Sequence, residues 1–359
     1  MMLISISTGL GLQKTIQNKV SSFFGHITIS NFQNNSSQLS RNPVSIEQDF
    51  YLNNNIKGIN HIQSVAYKSG VILTDTDFEG IVFKGINDDF NFKIFYQHMV
   101  EGRLPNINNS VSREIIISKY LSERLKLKLN QKLKVSFLNT NSSIPSERNF
   151  KISGIYDTGL NEFDEIYIIG DIKHIQLINN WETNQIGSFE IFINDFDKMK
   201  QVSSQLYEIS SSNLDVLDIS QKFFEIFNWI ALFDMNILLI IVIMILVSGI
   251  NMITALIVTI LEKSKLIGVL KVVGSTKSSL RNIFLINGVY LISIGLFFGN
   301  VIGLGLIFFQ KITGFIELNP ETYYVSVVPV DINLFNIILL NLGIIFFCFL
   351  MLIIPSYII

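Results

Sequence analysis

The sequence predicts an α+β extracytoplasmic domain followed by an all-α transmembrane bundle. Three observations predict it. Most of the charge lies in residues 1–233. Three long uncharged apolar runs fill residues 234–359. Short alternating apolar stretches, interleaved with helix-like ones, recur through the first part. Averaged over 359 residues, the chain is 49% hydrophobic and 16% charged, with a mean hydropathy of +0.42. A soluble domain carries about 25% charged residues. Lys+Arg is 27 against Asp+Glu 29, a net charge of −2. That balance lacks the basic footprint of a nucleic-acid binder. Disorder would need low hydrophobicity and high net charge. A single cysteine, Cys348, allows no intramolecular disulfide.

The chain opens MMLISISTGLGLQKTIQNKV. Met1 to Ile6 is too short to span a membrane. It also lacks the basic flank and cleavage site of a signal peptide. Residues 1–24 read as the remnant of a first transmembrane helix that is largely missing, running on into a stalk. The chain is therefore expected to be incomplete at its N-terminus.

Residues 25–219 form the predicted α+β domain. His26 to Asn31 alternates like a strand, and Gln33 to Ser45 is polar loop. Ile46 to Ile56 fits a short helix. Ile62 to Leu73 and Phe78 to Ile86 are predicted strands around an acidic turn, Asp75 to Asp77. Glu101-Gly102-Arg103-Leu104-Pro105 marks a turn. Strands follow at Glu114 to Ile117, Gln131 to Leu138, Phe150 to Tyr156, Glu165 to Ile169, Ser188 to Ile193 and Leu214 to Asp218. Lys119 to Lys126, Asp171 to Ile178 and Asp195 to Ile209 are predicted helices, the last two capped by aspartates. The rhythm suits one or two α+β subdomains. A stalk helix, 220–235, leads to the membrane.

The uncharged runs are Asn236 to Leu261, Ile283 to Gln310 and Ile332 to Ile354. About 20 apolar residues cross the ~30 Å hydrocarbon core, so all three are complete spans. Between the first two lie Lys263, Lys265, Lys271, Lys277 and Arg281 against Glu262. The positive-inside rule puts that segment, 262–282, in the cytoplasm. The loop 311–331 and the α+β domain then lie outside.

Catalytic motifs are missing from the sequence. No P-loop occurs, and Gly274-Ser275-Thr276-Lys277-Ser278 lacks the first glycine at the required spacing. His26, His61, His98 and His174 have no metal-ligand spacing. Asp75, Asp77 and Glu79 lack the glycine and distal glutamate of a calcium loop. Asp88-Asp89 and Asp164-Glu165 read as solvated turns. No ionisable side chain lies within a span, which argues against proton relays and ion-coupled transport.

Two features of the membrane half carry more. Gly295, Gly299 and Gly303 recur every four residues, a spacing that lets helices approach closely in lipid. Residues 262–285, EKSKLIGVLKVVGSTKSSLRNIFL, interleave apolar residues with lysines. Such a segment either lies on anionic lipid or docks its apolar face into a partner's groove.

Here the sequence resembles a known family. Glu262, Lys263, then Leu266-Ile267-Gly268-Val269-Leu270-Lys271-Val272-Val273-Gly274-Ser275, resembles the E-(K/R)-x-x-x-I-G-(I/V)-L-(K/R)-(A/V)-(L/V)-G-(A/S) signature of FtsX-like permeases. These are the membrane subunits of MacB-type ABC transporters. Residues 5–32, 114–137 and 150–181 resemble the LolC/LolE lipoprotein-releasing subgroup. Asn130 departs from the glycine usual in that subgroup's turn, and asparagine tolerates the same left-handed conformation.

The resemblance implies a MacB-type periplasmic core and a non-catalytic subunit in the bacterial inner membrane. Glu262, Lys263, Ile267, Gly268, Leu270, Lys271, Gly274 and Ser275 would contact a cytoplasmic LolD-like ATPase. ATP and Mg would sit on that partner, and this chain would bind no cofactor. The further implied partners are a second permease, an acylated lipoprotein and a periplasmic carrier. The alternatives are MacB-like export of a toxin or small molecule, FtsX-like control of cell-wall hydrolases, and a membrane-anchored periplasmic enzyme.

Overall fold

The computed structural model describes residues 1–34, 39–53, 56–74, 77–107, 110–138 and 144–357. It divides into two compact units. One comprises Ile16–Phe227 with Asn319–Ser326; the other comprises Met1–Thr15, Asn228–Leu318 and Val327–Ile359.

The first unit is an α+β domain. Its strands are β1 (Ile27–Asn31), β2 (Val44–Ser45), β3 (Ile59–Leu73), β4 (Phe78–Ile86), β5 (Met99–Gly102), β6 (Glu114–Ser118), β7 (Lys132–Phe137), β8 (Ser146–Tyr156), β9 (Tyr167–Asp171), β10 (Gln185–Ile186), β11 (Ser188–Ile193) and β12 (Leu214–Asp218). The helices up to this point in the chain are α1 (Met2–Phe24), α2 (Asp49–Asn53), α3 (Phe92–Phe95), α4 (Lys119–Arg124), α5 (Asn161–Asp164), α6 (Lys173–Asn179), α7 (Met199–Ile209) and α8 (Ile219–Lys222).

The main sheet runs β12-β1-β11-β3-β4-β9-β6-β8-β5, and β7 pairs with both β3 and β8. The path β3-β4-β9-β6-β8-β7 thus returns to β3 and closes into a ring. The long strand β3 serves both parts. Ile59 to Val65 pairs with β11 in the open sheet, and Gly70 to Leu73 pairs with β7 in the ring. The alternation of a strand sends every second side chain inward. Phe83, Phe137 and Phe150 meet in this way inside the ring, Phe83 lying 5.5 Å from Phe137 and 5.4 Å from Phe150. A second aromatic cluster surrounds the end of α1, where Phe23 and Phe24 pack on Phe163 and Tyr167. Each such buried ring is worth about 1.5–3 kcal/mol relative to exposure.

Several local expectations change. The helix expected at Ile46 to Ile56 is only Asp49–Asn53. The stalk helix expected over 220–235 is interrupted at Phe223, whose φ −116 and ψ 51 leave the helical region. Neither carboxylate turn is solvated throughout. Asp89 accepts from Tyr51 Oη, Ser64 N and Ser64 Oγ, and Asp164 accepts from Thr158 and Gly159. Asp75 lies outside the described residues; Asp77 and Glu79 face Arg124 at 3.9 and 3.8 Å.

The second unit holds α9 (Phe224–Glu262, from Asn228 onward), α10 (Ser264–Val272), α11 (Lys277–Thr313) and α13 (Leu334–Ser356); α12 (Pro320–Tyr323) belongs to the first. Helices α9, α11 and α13 are long and apolar enough to cross a membrane. At ~1.5 Å per residue, α9 and α11 each exceed the ~30 Å hydrocarbon core. Their predicted spans are therefore parts of longer helices. The bundle core gathers Leu256, Ile260, Leu280, Phe284, Ile292, Cys348 and Leu352, with Ile267 of α10 among them.

Candidate functional site

The segment joining α9 to α11 folds as a short helix between two turns. Strong helix formers, Leu and Lys, carry Ser264 to Val272. Ile267 is buried in the bundle core, and Leu270 packs against the same cluster. These two, three residues apart, make one face of α10. Leu266, Val269 and Val273, at i, i+3 and i+7, make another. Leu266 is 53% exposed and Val269 61%. Val272 and Val273 are exposed as well. A helix anchored by Ile267 and Leu270 therefore presents a separate apolar stripe to its surroundings.

The exit from α10 depends on Gly274. Gly274 N donates to Lys271 O at 3.1 Å, and Ser275 N donates to Leu270 O at 2.9 Å. That pair of bonds is a Schellman motif, which wants a left-handed residue at the position of Gly274. Its φ is +98. Thr276 then caps α11, its Oγ1 accepting from Ser279 N at 3.2 Å. The turn is complete within three residues, so α10 and α11 meet at a fixed corner.

The predicted site residues fall into distinct places. Glu262 closes α9, and Lys263 precedes α10. Ile267 and Leu270 face the bundle, while Gly268 and Lys271 lie on exposed surface. A Cβ at Gly268 would meet nothing within 4 Å, so no neighbour within this chain requires a glycine there. Gly274 and Ser275 make the turn. The segment carries five cations against Glu262. One of them, Arg281, stacks over the ring of Tyr357 at 4.9 Å.

The predicted glycine face behaves unevenly. A Cβ at Gly303 would lie 3.9 Å from Leu3, but Gly295 and Gly299 have nothing within 4 Å. Both border a cavity of about 330 Å³, together with Met2, Met252, Asn300 and Cys348. The close approaches in the bundle occur at other glycines: Gly9 against Ile237, Gly11 against Pro329, and Gly249 and Gly288 against α13. A Cβ at Gly288 would meet Leu352 Cδ1 at 2.7 Å, and one at Gly249 would run into Met351 Sδ. Sequence spacing missed these, because each is a lone small residue opposite a large one. Asn300 and Asn341 exchange amide hydrogen bonds at 3.0 and 3.4 Å.

The arrangement is a short helix with an exposed apolar stripe, ending at a fixed corner. Residues 238–359 match the family FtsX-like permease C-terminal. Over 359 aligned residues the chain is 25% identical to the "Lipoprotein-releasing system transmembrane protein LolC" of Buchnera aphidicola subsp. Schizaphis graminum, covering 96% of this chain and 84% of that one. Residues 238–359 thus carry the FtsX-like permease C-terminal region, and the chain as a whole is similar to LolC proteins. A protein of the same name from Neisseria meningitidis serogroup B is 19% identical, over 94% of this chain and 83% of that one. Two solved structures are similar to 54% of this permease. They are the extracellular domain of the noncanonic ABC-type transporter YknZ from Gram-positive bacteria (15% identity, 99% of that chain, TM-score 0.37) and the periplasmic region of MacB from Actinobacillus actinomycetemcomitans (14%, 87%, 0.38). The FtsX-like match and the LolC relatives support an ABC transporter permease, a kind of subunit that works with an ATPase partner.

Proposed function

We propose that this permease couples ATP hydrolysis on a LolD-like ATPase to the release of acylated lipoproteins from the bacterial inner membrane. The observation that carries the coupling is α10: an exposed apolar stripe, seated in the bundle through Ile267 and squared off at Gly274. The excess of lysines there puts α10 on the cytoplasmic side, and the α+β domain then faces the periplasm. ATP and Mg belong to the ATPase. Glu262, Lys263, Gly268 and Lys271 meet its surface, and Ile267 and Leu270 pass the displacement to the bundle. The bundle moves α1 and α9, and the α+β domain hands the lipoprotein to a periplasmic carrier. Nucleotide biases a two-state element on one side of the membrane, and the cargo reads it on the other. A second permease completes the pathway, with the open face at Gly295 and Gly299 available to one of its helices.

The test is depletion of the permease, followed by density separation of the two membranes. Outer-membrane lipoproteins should accumulate in the inner membrane. Unchanged sorting together with lost toxin or drug resistance would replace release by export.

A further inference from the structure

Glu190 sits in the middle of β11 and is fully buried, as is Lys84 on β4. Lys84 Nζ donates to both carboxylate oxygens of Glu190 at 2.9 Å. Gln63 Nε2 donates to Glu190 Oε2 at 2.7 Å, and the Tyr67 hydroxyl donates to Oε1. Lys84 Nζ also donates to the carbonyl oxygen of Phe23, in the last turn of α1. The carbonyls of a final helical turn have no partner in the helix, and a cation is favourable there. The sheet therefore grips the end of α1 through one lysine.

The start of the next membrane-bound helix meets the same cluster. Lys222 ends α8, one residue before the break at Phe223 and two before α9. Its ammonium lies 4.9 Å from the ring centre of Phe24 and 5.5 Å from that of Tyr67. Phe24 and Phe223 touch, with centroids 4.7 Å apart. An apolar cluster would stabilise such a site as well as a buried ion pair does. What the ion pair adds is direction, since a carboxylate with three donors fixes where each donor stands.

We infer that Lys84 and Glu190 are positioning residues that pin the end of α1 and the start of α9 into one joint. The inference rests on the release reading. Both membrane connections of the α+β domain then move together, and displacement reaches the sheet without being lost in slack.

The test uses the full permease, reconstituted with its ATPase in proteoliposomes carrying a lipoprotein. Lys84→Met leaves a buried carboxylate unpaired and should lower thermal stability. Lys84→Met with Glu190→Gln removes both charges and should recover it. The double variant should hydrolyse ATP normally, yet release at least tenfold less lipoprotein per ATP. Release at the wild-type ratio by the double variant would overturn the pin. No ATP-dependent release by the wild-type complex would overturn the release reading instead. Spin labels at Asn18→Cys and Glu225→Cys, in a Cys348→Ala background, read the joint without either charge variant. One narrow distance, equal with and without nucleotide, is expected; a broad or nucleotide-dependent distance would overturn the pin.

Discussion

Lys19 on α1 donates its Nζ to the carbonyl oxygen of Tyr324 at 3.1 Å. The same ammonium reaches Gly159 O at 3.4 Å. Gly159 has φ +65, and a Cβ there would lie 2.6 Å from Lys19 Nζ, so the lysine passes where a side chain would stand. The Tyr324 hydroxyl donates to Glu162 at 3.2 Å. Segment 319–326 is held to the α+β domain by these bonds. Lys19→Met should raise hydrogen exchange at 319–326 severalfold, and Tyr324→Phe should do so less, because its bond is exposed. Equal protection in Lys19→Met would show that the strap is held by packing alone.

The α+β domain should lose stability on acidification. Burial pushes His26 and His98 down to about 4, the Lys19 ammonium acting on His98 in the same direction. Unfolded histidine titrates near ~6.5. Between those values the unfolded chain binds more protons, so stability falls as pH drops. Asp164 opposes this, since burial raises it to about 6. Its unfolded value is ~3.9, so its contribution grows as pH falls through that window. Two histidines outweigh one carboxylate, at about 1.4 kcal/mol per unit. Urea midpoints in detergent should decline from pH 6.5 to 4. His98→Gln should flatten the decline and Asp164→Asn should steepen it. Parallel profiles for all three proteins would contradict the assignment.

Gly274 should tolerate almost nothing. An L-residue in the left-handed region costs roughly 1–2 kcal/mol, and proline fixes φ near −65°. Gly274→Ala should reduce ATP-driven transport moderately, and Gly274→Pro should abolish it with the permease still in the membrane. Transport that survives Gly274→Pro would remove α10 from the coupling route.

The two classes of glycine should separate. Gly288→Val has a leucine in its path and should lower the thermal midpoint of the permease alone. Gly295→Leu and Gly299→Leu have open space and should leave that midpoint unchanged. If a second permease packs on this face, they should weaken the permease dimer in cross-linking. An intact dimer would leave the face to some other neighbour.

The sequence made the three apolar helices and the cation-rich segment between the first two readable, because hydropathy and charge are local signals; it did not reveal the turn at Gly274. Ring closure was not readable. Gly70 and Phe137 pair across the sheet, and no local pattern joins them. Burial of charge was equally hidden. Glu190 reads as the polar position of an alternating strand, yet every residue of β11 is buried. Asp89 and Asp164 look like turn carboxylates, but their hydrogen-bond donors come from the fold around them. The interruption at Phe223 carries no glycine or proline to announce it; it follows from the packing of that ring on Phe24 and Phe163.

The paired amides of Asn300 and Asn341 also bear on biogenesis. They lie 41 residues apart, on α11 and α13. A lone amide in hydrocarbon costs several kcal/mol, and each asparagine is the other's relief. Because α11 precedes α13 in the chain, Asn300 is made 41 residues before the amide that matches it. Inserting the two helices together, as a hairpin, is the route that leaves neither amide unmatched in lipid.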